Sequence, residues 1–598
     1  MKQIDKSLYV NVGVTGHRNI EISMQNHLCH VIKHILLTIR TEVESVYQSK
    51  STFFESIGGG DVPKMRMVSS LAEGADRIAV EEAVSLGYEL QVPLPLGQLR
   101  YEQTFDGGRA SILEFRRLLS KATAVTSLEF TKQESSSAYE DASRLMLYHS
   151  DVLIAVWNGK PNKYIAGTYP TMREAKRLHV PIICISSENP ETIAFIQESR
   201  YRTDWEQALR EHISRIMLPA DNVSNMSAGF VGIPFPPRVK KEQIRNYYDL
   251  NIIIEQCLQK GMKHASITED ILNHPYGANT ERVLQQKARA QKLWGEEKKL
   301  YSGLSRAYSV AFRNSVLLRF SVPLVALILL LGALNTDGVL ESVLYALQIC
   351  MLIFVIWLVK REKSTYTNRC FYGYRVMAER IRISTFLTNI GYCNVNRSSS
   401  SYMESKFLSE SMWYYRILLR YRGLQNLILD DSEIKAWLHW LQKDFLCSQL
   451  HYHHKRKEKC FELQRKLGKL AVFSFYAGLL FTVVRACVDM LDFASYLGYA
   501  GALALFLPSL ATFWTSYSGS FGYTQHYAAS SAMESELRSI IAEVDALLME
   551  YEGEEKIFPL TKKGLCPLYD LCERLETCCT TELSDWENSI HGRMLKLV

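Results

Sequence analysis

The chain has 598 residues, 47% of them hydrophobic, with 69 Lys plus Arg against 63 Asp plus Glu for a formal charge of +6. That length supports several domains with real cores, and so small a basic excess over so long a chain excludes nucleic-acid binding driven by bulk charge. The 13 cysteines are scattered, several inside apolar runs, as suits reduced thiols facing the cytosol.

The opening MKQIDKSLYVNVGV lacks an apolar stretch ahead of a small-residue cleavage site, so no secretory signal is expected. LYVNVGVTG then reads as a strand and QNHLCHVIKHILLTIRTEVESVY as a helix. KMRMVSSLAEGAD ends a second strand at a turn, RIAVEEAVSLG is a short helix stopped by Gly87, and YELQVPLPL is a third strand. YEQTFDGG and SILEFRRLLSKATAV follow. They read either as a loop folding over a ligand, with Tyr101 and Arg109 as contacts, or as a surface helix with Phe115, Leu118 and Leu119 inward. DVLIAVWNG is a fourth strand, TMREAKRLH a helix and VPIICIS a fifth strand. Short apolar strands between helices predict a Rossmann-like α/β domain, a parallel sheet covered on both faces. Such sheets bind ligands outside the carboxyl ends of their strands.

The unusual residues collect at those ends. Gly13, Thr15, Gly16, His17 and Arg18 close the first strand; Ser69, Leu71, Glu73, Gly74 and Asp76 follow the second, with Ser70, Ala72 and Ala75 between them. Trp157 and Asn158 end the fourth, and Gly167, Thr168, Thr171 and Glu174 open the helix after it. Glycines let backbone N–H groups approach an anion, and a helix start adds its positive dipole end. Threonine hydroxyls can donate to a phosphate, and Arg18 can grip one with two parallel hydrogen bonds.

VGVTGHR, VSSLAEGADRIAVEEAVSLGYELQVPLP and DVLIAVWNG with AGTYPTMREAKRLHVPIICI together resemble the SLOG superfamily, which joins the DNA-uptake protein DprA to the lonely-guy cytokinin-activating hydrolases. VSSLAEGAD is similar to the DprA-type turn, and GTYPTMRE to the lonely-guy signature G-G-x-G-T-x-x-E. In that match Gly167 keeps its glycine, Thr171 takes the threonine and Glu174 the catalytic glutamate, while Thr168 and Pro170 replace glycines. The resemblance implies a nucleotide-binding domain. It also implies an alternative activity, nucleoside-phosphate N-glycosidic hydrolysis with Glu174 as the acting carboxylate.

Beyond about residue 310 apolar residues form long blocks. VLLRFSVPLVALILLLGAL (316–334) and VLESVLYALQICMLIFVIWLV (ending at Val359) make one pair, LAVFSFYAGLLFTVVRACV (470–488) and YLGYAGALALFLPSLATFWTSY (496–517) another. Each is long enough to cross a bilayer core, so the sequence predicts four transmembrane helices in two hairpins. The connecting loops NTDGVLES and DMLDFAS hold no Lys or Arg, whereas Arg313, Arg319, Lys360, Arg361, Lys363, Arg465, Lys466 and Lys469 flank the other ends. Positive residues stay inside, so both termini are expected in the cytoplasm of a multi-pass inner-membrane protein. Arg485 is expected to snorkel beside Asp489, and Gln348 to pack between helices or line a pore.

The expected division is 1–235 for the nucleotide-binding domain, 236–315 for a helical linker, 316–359 and 470–517 for the hairpins, and 360–469 and 518–598 for cytoplasmic helical segments. MAERIR (377–382) and MESELR (533–538), each beyond a hairpin, suggest a tandem repeat of helix, hairpin and helix. No metal site is expected, because Cys566, Cys572, Cys578 and Cys579 lack paired C-x-x-C spacing and HYHHKRKEKC reads as a solvated helix face. The all-α membrane part resembles the SLATT class of two-span effectors, here in duplicate. Together the resemblances imply a sensor of a nucleotide or NAD-derived second messenger, with no bound cofactor. They imply a homo-oligomer that opens or disrupts lipid membranes in bacterial antiphage defence. A third reading is an ion channel or transporter.

Overall fold

The computed structural model describes residues 7–56, 62–131, 135–161, 166–219, 256, 258, 280–365, 367–395, 406–490, 497–552 and 564–594. Strands β1 (Tyr9–Gly16), β2 (Lys64–Val68), β3 (Glu89–Leu94), β4 (Ala122–Leu128), β5 (Val152–Trp157), β6 (Ile182–Ser186), β7 (Ile193–Gln197), β8 (Arg200–Arg202) and β9 (Leu427–Leu429) form one sheet. Its order is β8-β7-β6-β5-β1-β2-β3-β4-β9, parallel except for the β6–β7 and β7–β8 pairs. The chain runs outward from β1 on one side through β2, β3 and β4, then restarts beside β1 with β5. The topological switch point, where such sheets open a crevice, therefore lies between β1 and β5.

Alternation of side chains sorts the core. Val10, Val12 and Val14 of β1 point to one face, with Val152, Ile154 and Val156 of β5, while Leu153 and Ala155 point to the other. Helices α1 (Ile22–Ser49), α3 (Ala75–Ser85) and α8 (Trp205–Met217) cover the first face, with short α2 (Ser51–Ser56) after α1. Helices α6 (Ser135–Tyr148) and α7 (Thr168–Arg177) cover the second. The stretch after β3, expected as a loop or one surface helix, forms α4 (Gln98–Glu102), α5 (Gly108–Leu119) and then β4. Phe115 and Leu118 are fully buried there.

The rest is helical: α9 (Thr280–Ala333), α10 (Val339–Thr365), α11 (Thr367–Leu387), α12 (Lys406–Arg422), α13 (Asp431–Trp440), α14 (Ser448–Met490), α15 (Leu497–Phe521), α16 (Tyr523–Glu552) and α17 (Leu565–Met594). Three helical stretches among the described residues are long and apolar enough to cross a membrane: Glu281–Ala333, Val339–Arg361 and Asp431–Cys487. The segment expected as the fourth span is helical from Leu497 as α15, and the side chains of its first residues lie outside the described set. The expected linker boundary at 315/316 has no counterpart, since α9 runs through it, and the 235/236 boundary lies outside the described residues. Within α9, Trp294, Tyr301 and Leu304 are buried, whereas Val325 and Ile328 are exposed. In α14, Leu463 and Leu467 are buried and Phe473, Tyr476, Leu480 and Val483 are exposed. Each long helix thus begins packed in a core and ends with its apolar side chains exposed. Gly478 of α14 lets α15 close in, since a Cβ there would lie 2.6 Å from Pro508. The same arrangement occurs twice: α10 folds back on α9 and α11 packs along α9, while α15 folds back on α14 and α16 packs along α14.

The two halves are not separate bodies. Strand β9, from the segment expected to be wholly helical, adds to β4 in parallel. Thr126 Oγ1 donates to Gln425 O (2.7 Å) and Val125 N to Asn426 Oδ1 (2.8 Å) beside it. The amino ends of the central strands are plugged by Gly391, Arg420 and Leu424. Asp151, with no exposed surface, accepts from Arg420 Nε at 2.7 Å and from Asn11 N at 2.9 Å. Arg66 Nη1 donates to Arg420 O (2.8 Å), Leu424 N to Gln91 Oε1 (2.8 Å) and His149 Nε2 to Gly391 O (2.8 Å). Burial pushes His149 down to about 4, so its ring is neutral in this contact at physiological pH.

Removing one partner of a buried ion pair leaves the other uncompensated and costs about 3–5 kcal/mol. Arg420→Ala is therefore expected to lower the melting temperature of the detergent-solubilised protein by several degrees. Arg202→Ala, which breaks the exposed contacts to Asp204 and Glu211, should leave it unchanged. Equal shifts for the two variants would contradict the plugged-sheet packing.

Candidate functional site

Two loops meet at the carboxyl ends of β1 and β2, and glycine is what lets them meet. A Cβ on Gly16 would lie 2.4 Å from that of Ala75, and one on Gly74 would lie 2.1 Å from Arg18 O. Gly74 also has φ +83°, which disfavours any other residue. Ala75 N donates to His17 O at 3.1 Å across the same junction. The glycines read from sequence as anion cradles at these positions serve first to interlock backbone with backbone. Gly13 lies further back in β1, where a Cβ would lie 2.5 Å from Ser150 Oγ; it is a packing glycine within the sheet.

The switch point itself is bridged by Asn158 N, which donates to His17 Nε2 at 3.1 Å, joining the ends of β1 and β5. Inside the turn after β2, Leu71 is buried with φ +57°, Ser69 Oγ accepts from Leu71 N (3.1 Å), and the same hydroxyl donates to Asp76 Oδ2 (3.2 Å). Asp76 sits in the first turn of α3. Burial raises its carboxyl to about 7, against the opposing pull of the Ser69 hydroxyl, Ala72 N–H, Arg18 and Arg77.

Other candidates are spent on the protein itself. Arg18 lies 5.5 Å from the centroid of the Tyr139 ring and donates to Thr104 O at 3.4 Å. Glu73 accepts from Asp106 N and Gly107 N, both at 2.9 Å, and from the Ser111 hydroxyl, holding down the segment that leads into α5. Partial burial opposes the Glu73 charge, but these donors outweigh it and keep its carboxyl below the usual range. Glu174 accepts from Arg144 Nε at 2.6 Å and Arg177 Nη2 at 2.8 Å, and burial is likewise outweighed by these guanidinium groups. Arg144 and Arg177 in turn reach Asp570 and Glu573 of α17. Glu174 is thus part of a charged joint between α7 and the C-terminal helix.

What remains open is a set of hydroxyls and helix-start donors. Thr15 and Ser70 are half-buried and Thr168 is 6% exposed; among the described residues, none of the three side-chain hydroxyls has a hydrogen-bond partner. Gly167 caps α7 with φ +120°, Thr171 Oγ1 donates back to Gly167 O at 2.9 Å, and the N–H groups of Thr168 and Tyr169 open the helix. Trp157 stacks on Tyr169 with centroids 5.7 Å apart and planes at 21°. Tyr169 is the residue that sequence reasoning missed. The signal was an aromatic side chain in the first helical turn after a strand that itself ends in tryptophan.

No protein-family model matches the sequence, and no curated protein matches it significantly.

The raised Asp76 carboxyl makes a pH prediction with a definite sign. Its folded value, about 7, lies above the unfolded 3.8, so stability is fullest below the unfolded value and is lost as pH rises through about 7. At about 1.4 kcal/mol per unit, the loss is on the order of 4 kcal/mol. Asp76→Asn is expected to be more stable relative to wild type at pH 8 than at pH 5, read by thermal melts. A constant difference across that range would contradict the assignment.

Proposed function

We propose that this chain is a nucleotide-gated membrane effector: a SLOG-like sensor on a duplicated, SLATT-like pair of membrane hairpins. The observation that carries the reading is the set of hydroxyls without a partner among the described residues at the carboxyl ends of the strands, Thr15 on β1, Ser70 after β2 and Thr168 at the start of α7, in the same chain as long helices with exposed apolar faces. A phosphate fits the α7 start, where helix dipole and free N–H groups favour an anion. The Trp157–Tyr169 pair offers an aromatic surface to the base of a nucleotide or NAD-derived messenger.

In this reading α9, α10, α14 and α15 supply four spans, both termini lie in the cytoplasm beside an inner membrane, and homo-oligomers open or disrupt the bilayer in antiphage defence. The absence of Lys and Arg from both hairpin turns supports the orientation. Binding without hydrolysis is favoured by the engagement of the Glu174 carboxylate with two guanidinium groups.

The test is a thermal-shift screen of the detergent-purified protein against mononucleotides, cyclic nucleotides and NAD derivatives. A ligand at one hundred times its Kd adds about 2.7 kcal/mol of stability. One of these compounds should raise the melting temperature and trigger dye release from proteoliposomes. Thr15→Val should weaken both at unchanged basal stability. If no compound shifts the melt and no release follows, the reading fails.

A further inference from the structure

One turn of the C-terminal helix touches three parts of the molecule at once. Glu573 accepts from Arg177 Nη1 and Nη2 of α7, both at 3.0 Å, and from the Tyr148 hydroxyl of α6 at 2.6 Å. The next residue, Arg574, donates to Glu536 (2.9 Å), Ser539 (2.8 Å) and Glu543 (2.8 Å) of α16. Glu576 accepts from the Tyr392 hydroxyl at 3.0 Å and from Arg380 Nη1 of α11 at 3.5 Å. Helices α11 and α16 are the two that follow the hairpins and pack along the first helix of each.

We propose that the turn Glu573–Glu576 is the coupling junction of the protein, with α7 as the lever that drives it. The proposal rests on the reading that a nucleotide binds at the strand ends. Helix α7 starts at the crevice with Gly167 and reaches Arg177 ten residues on, about 15 Å along its axis. So short a helix moves as a rigid unit. The Arg177 guanidinium is shared between Glu174 on its own helix and Glu573 on the next. A shift of the α7 start on ligand binding therefore changes the pull on Glu573, one residue from the tie to α16 and three from the tie to α11.

Removing the lever does not remove the junction. The Asp141 carboxylate of α6 accepts from Leu565 N and Cys566 N, both at 2.8 Å, and Arg144 Nη1 donates to Cys566 O at 2.9 Å. The Tyr148 ring lies 5.0 Å from Tyr569 and 4.7 Å from Tyr392. The C-terminal helix thus stays docked on α6 when Arg177 is replaced, and only its direct tie to the ligand-facing helix is lost. Coupling between two sites requires that a ligand stabilise one arrangement of such a joint over another.

The test uses the full chain in dye-loaded vesicles, with the compounds of the thermal-shift screen as probes. Arg177→Gln and Glu573→Gln should each keep the nucleotide-induced rise in melting temperature, with apparent affinity within about twofold of wild type, yet lose at least tenfold of nucleotide-driven release. The charge swap Arg177→Glu with Glu573→Arg should restore part of the release, a rescue that a merely structural role does not produce. Release equal to wild type in both single variants overturns the junction. If wild type shows no nucleotide shift, the nucleotide reading fails by itself. The junction is then judged on ligand-free release, where equality of variant and wild type overturns it and a difference supports it.

Discussion

The buried ion pair between Asp151 and Arg420 is the constraint on which the arrangement depends. A carboxylate with no exposed surface needs a partner at hydrogen-bond distance, because leaving a buried polar group unpaired is costly. That partner comes from the end of α12, far along the chain from the sheet. Its backbone carbonyl then receives the Arg66 guanidinium, and the turn that follows delivers β9 to the edge of the sheet. The amino edge of the sheet is thereby fixed to the helical half. The carboxyl edge, which carries Thr15, Ser70 and, after β5, the start of α7, lies away from that joint.

This polarity leaves a chain of contacts from the carboxyl edge to the helices long and apolar enough to cross a membrane. Loops at the carboxyl edge are cross-braced by Gly16 against Ala75 and by His17 against Asn158, so they form a stiff rim with little slack. In the proposed coupling, helix α7 carries displacements of that rim to α17, which contacts both α16 and α11. The two long helices α9 and α14 run unbroken from their buried halves into the halves with exposed apolar side chains.

The sequence made the central strands legible because Val10, Val12 and Val14 are β-branched and Val152–Val156 is a continuous apolar run, and the three membrane-length helices because their apolar stretches are long and nearly uncharged. Strand β4 was hidden since ATAVTSL follows an amphipathic helix and carries little apolar alternation of its own. Strand β9 is three residues stabilised only by a partner 300 positions away, so nothing local marks it. At the site, position was easier to read than purpose. A glycine that admits a ligand and one that admits a neighbouring loop look alike in sequence, which is why Gly13, Gly16 and Gly74 were read as ligand-facing. Ser111 and Arg144, which engage the carboxylates of Glu73 and Glu174, lie on other elements, so nothing in the local sequence marks them. The repeat seen in MAERIR and MESELR falls on α11 and α16, where Met377, Ile381, Met533 and Leu537 are all buried.

The most direct test of the account is hydrogen exchange of the full-length protein in lipid nanodiscs, with and without the nucleotide that gives the largest thermal shift. The account predicts slower exchange at residues 15–18 and 167–171 together with altered exchange in α11, α16 and the 573–576 turn. Changes confined to the strand-end loops, with the helices bracing the hairpins unaffected, would contradict it.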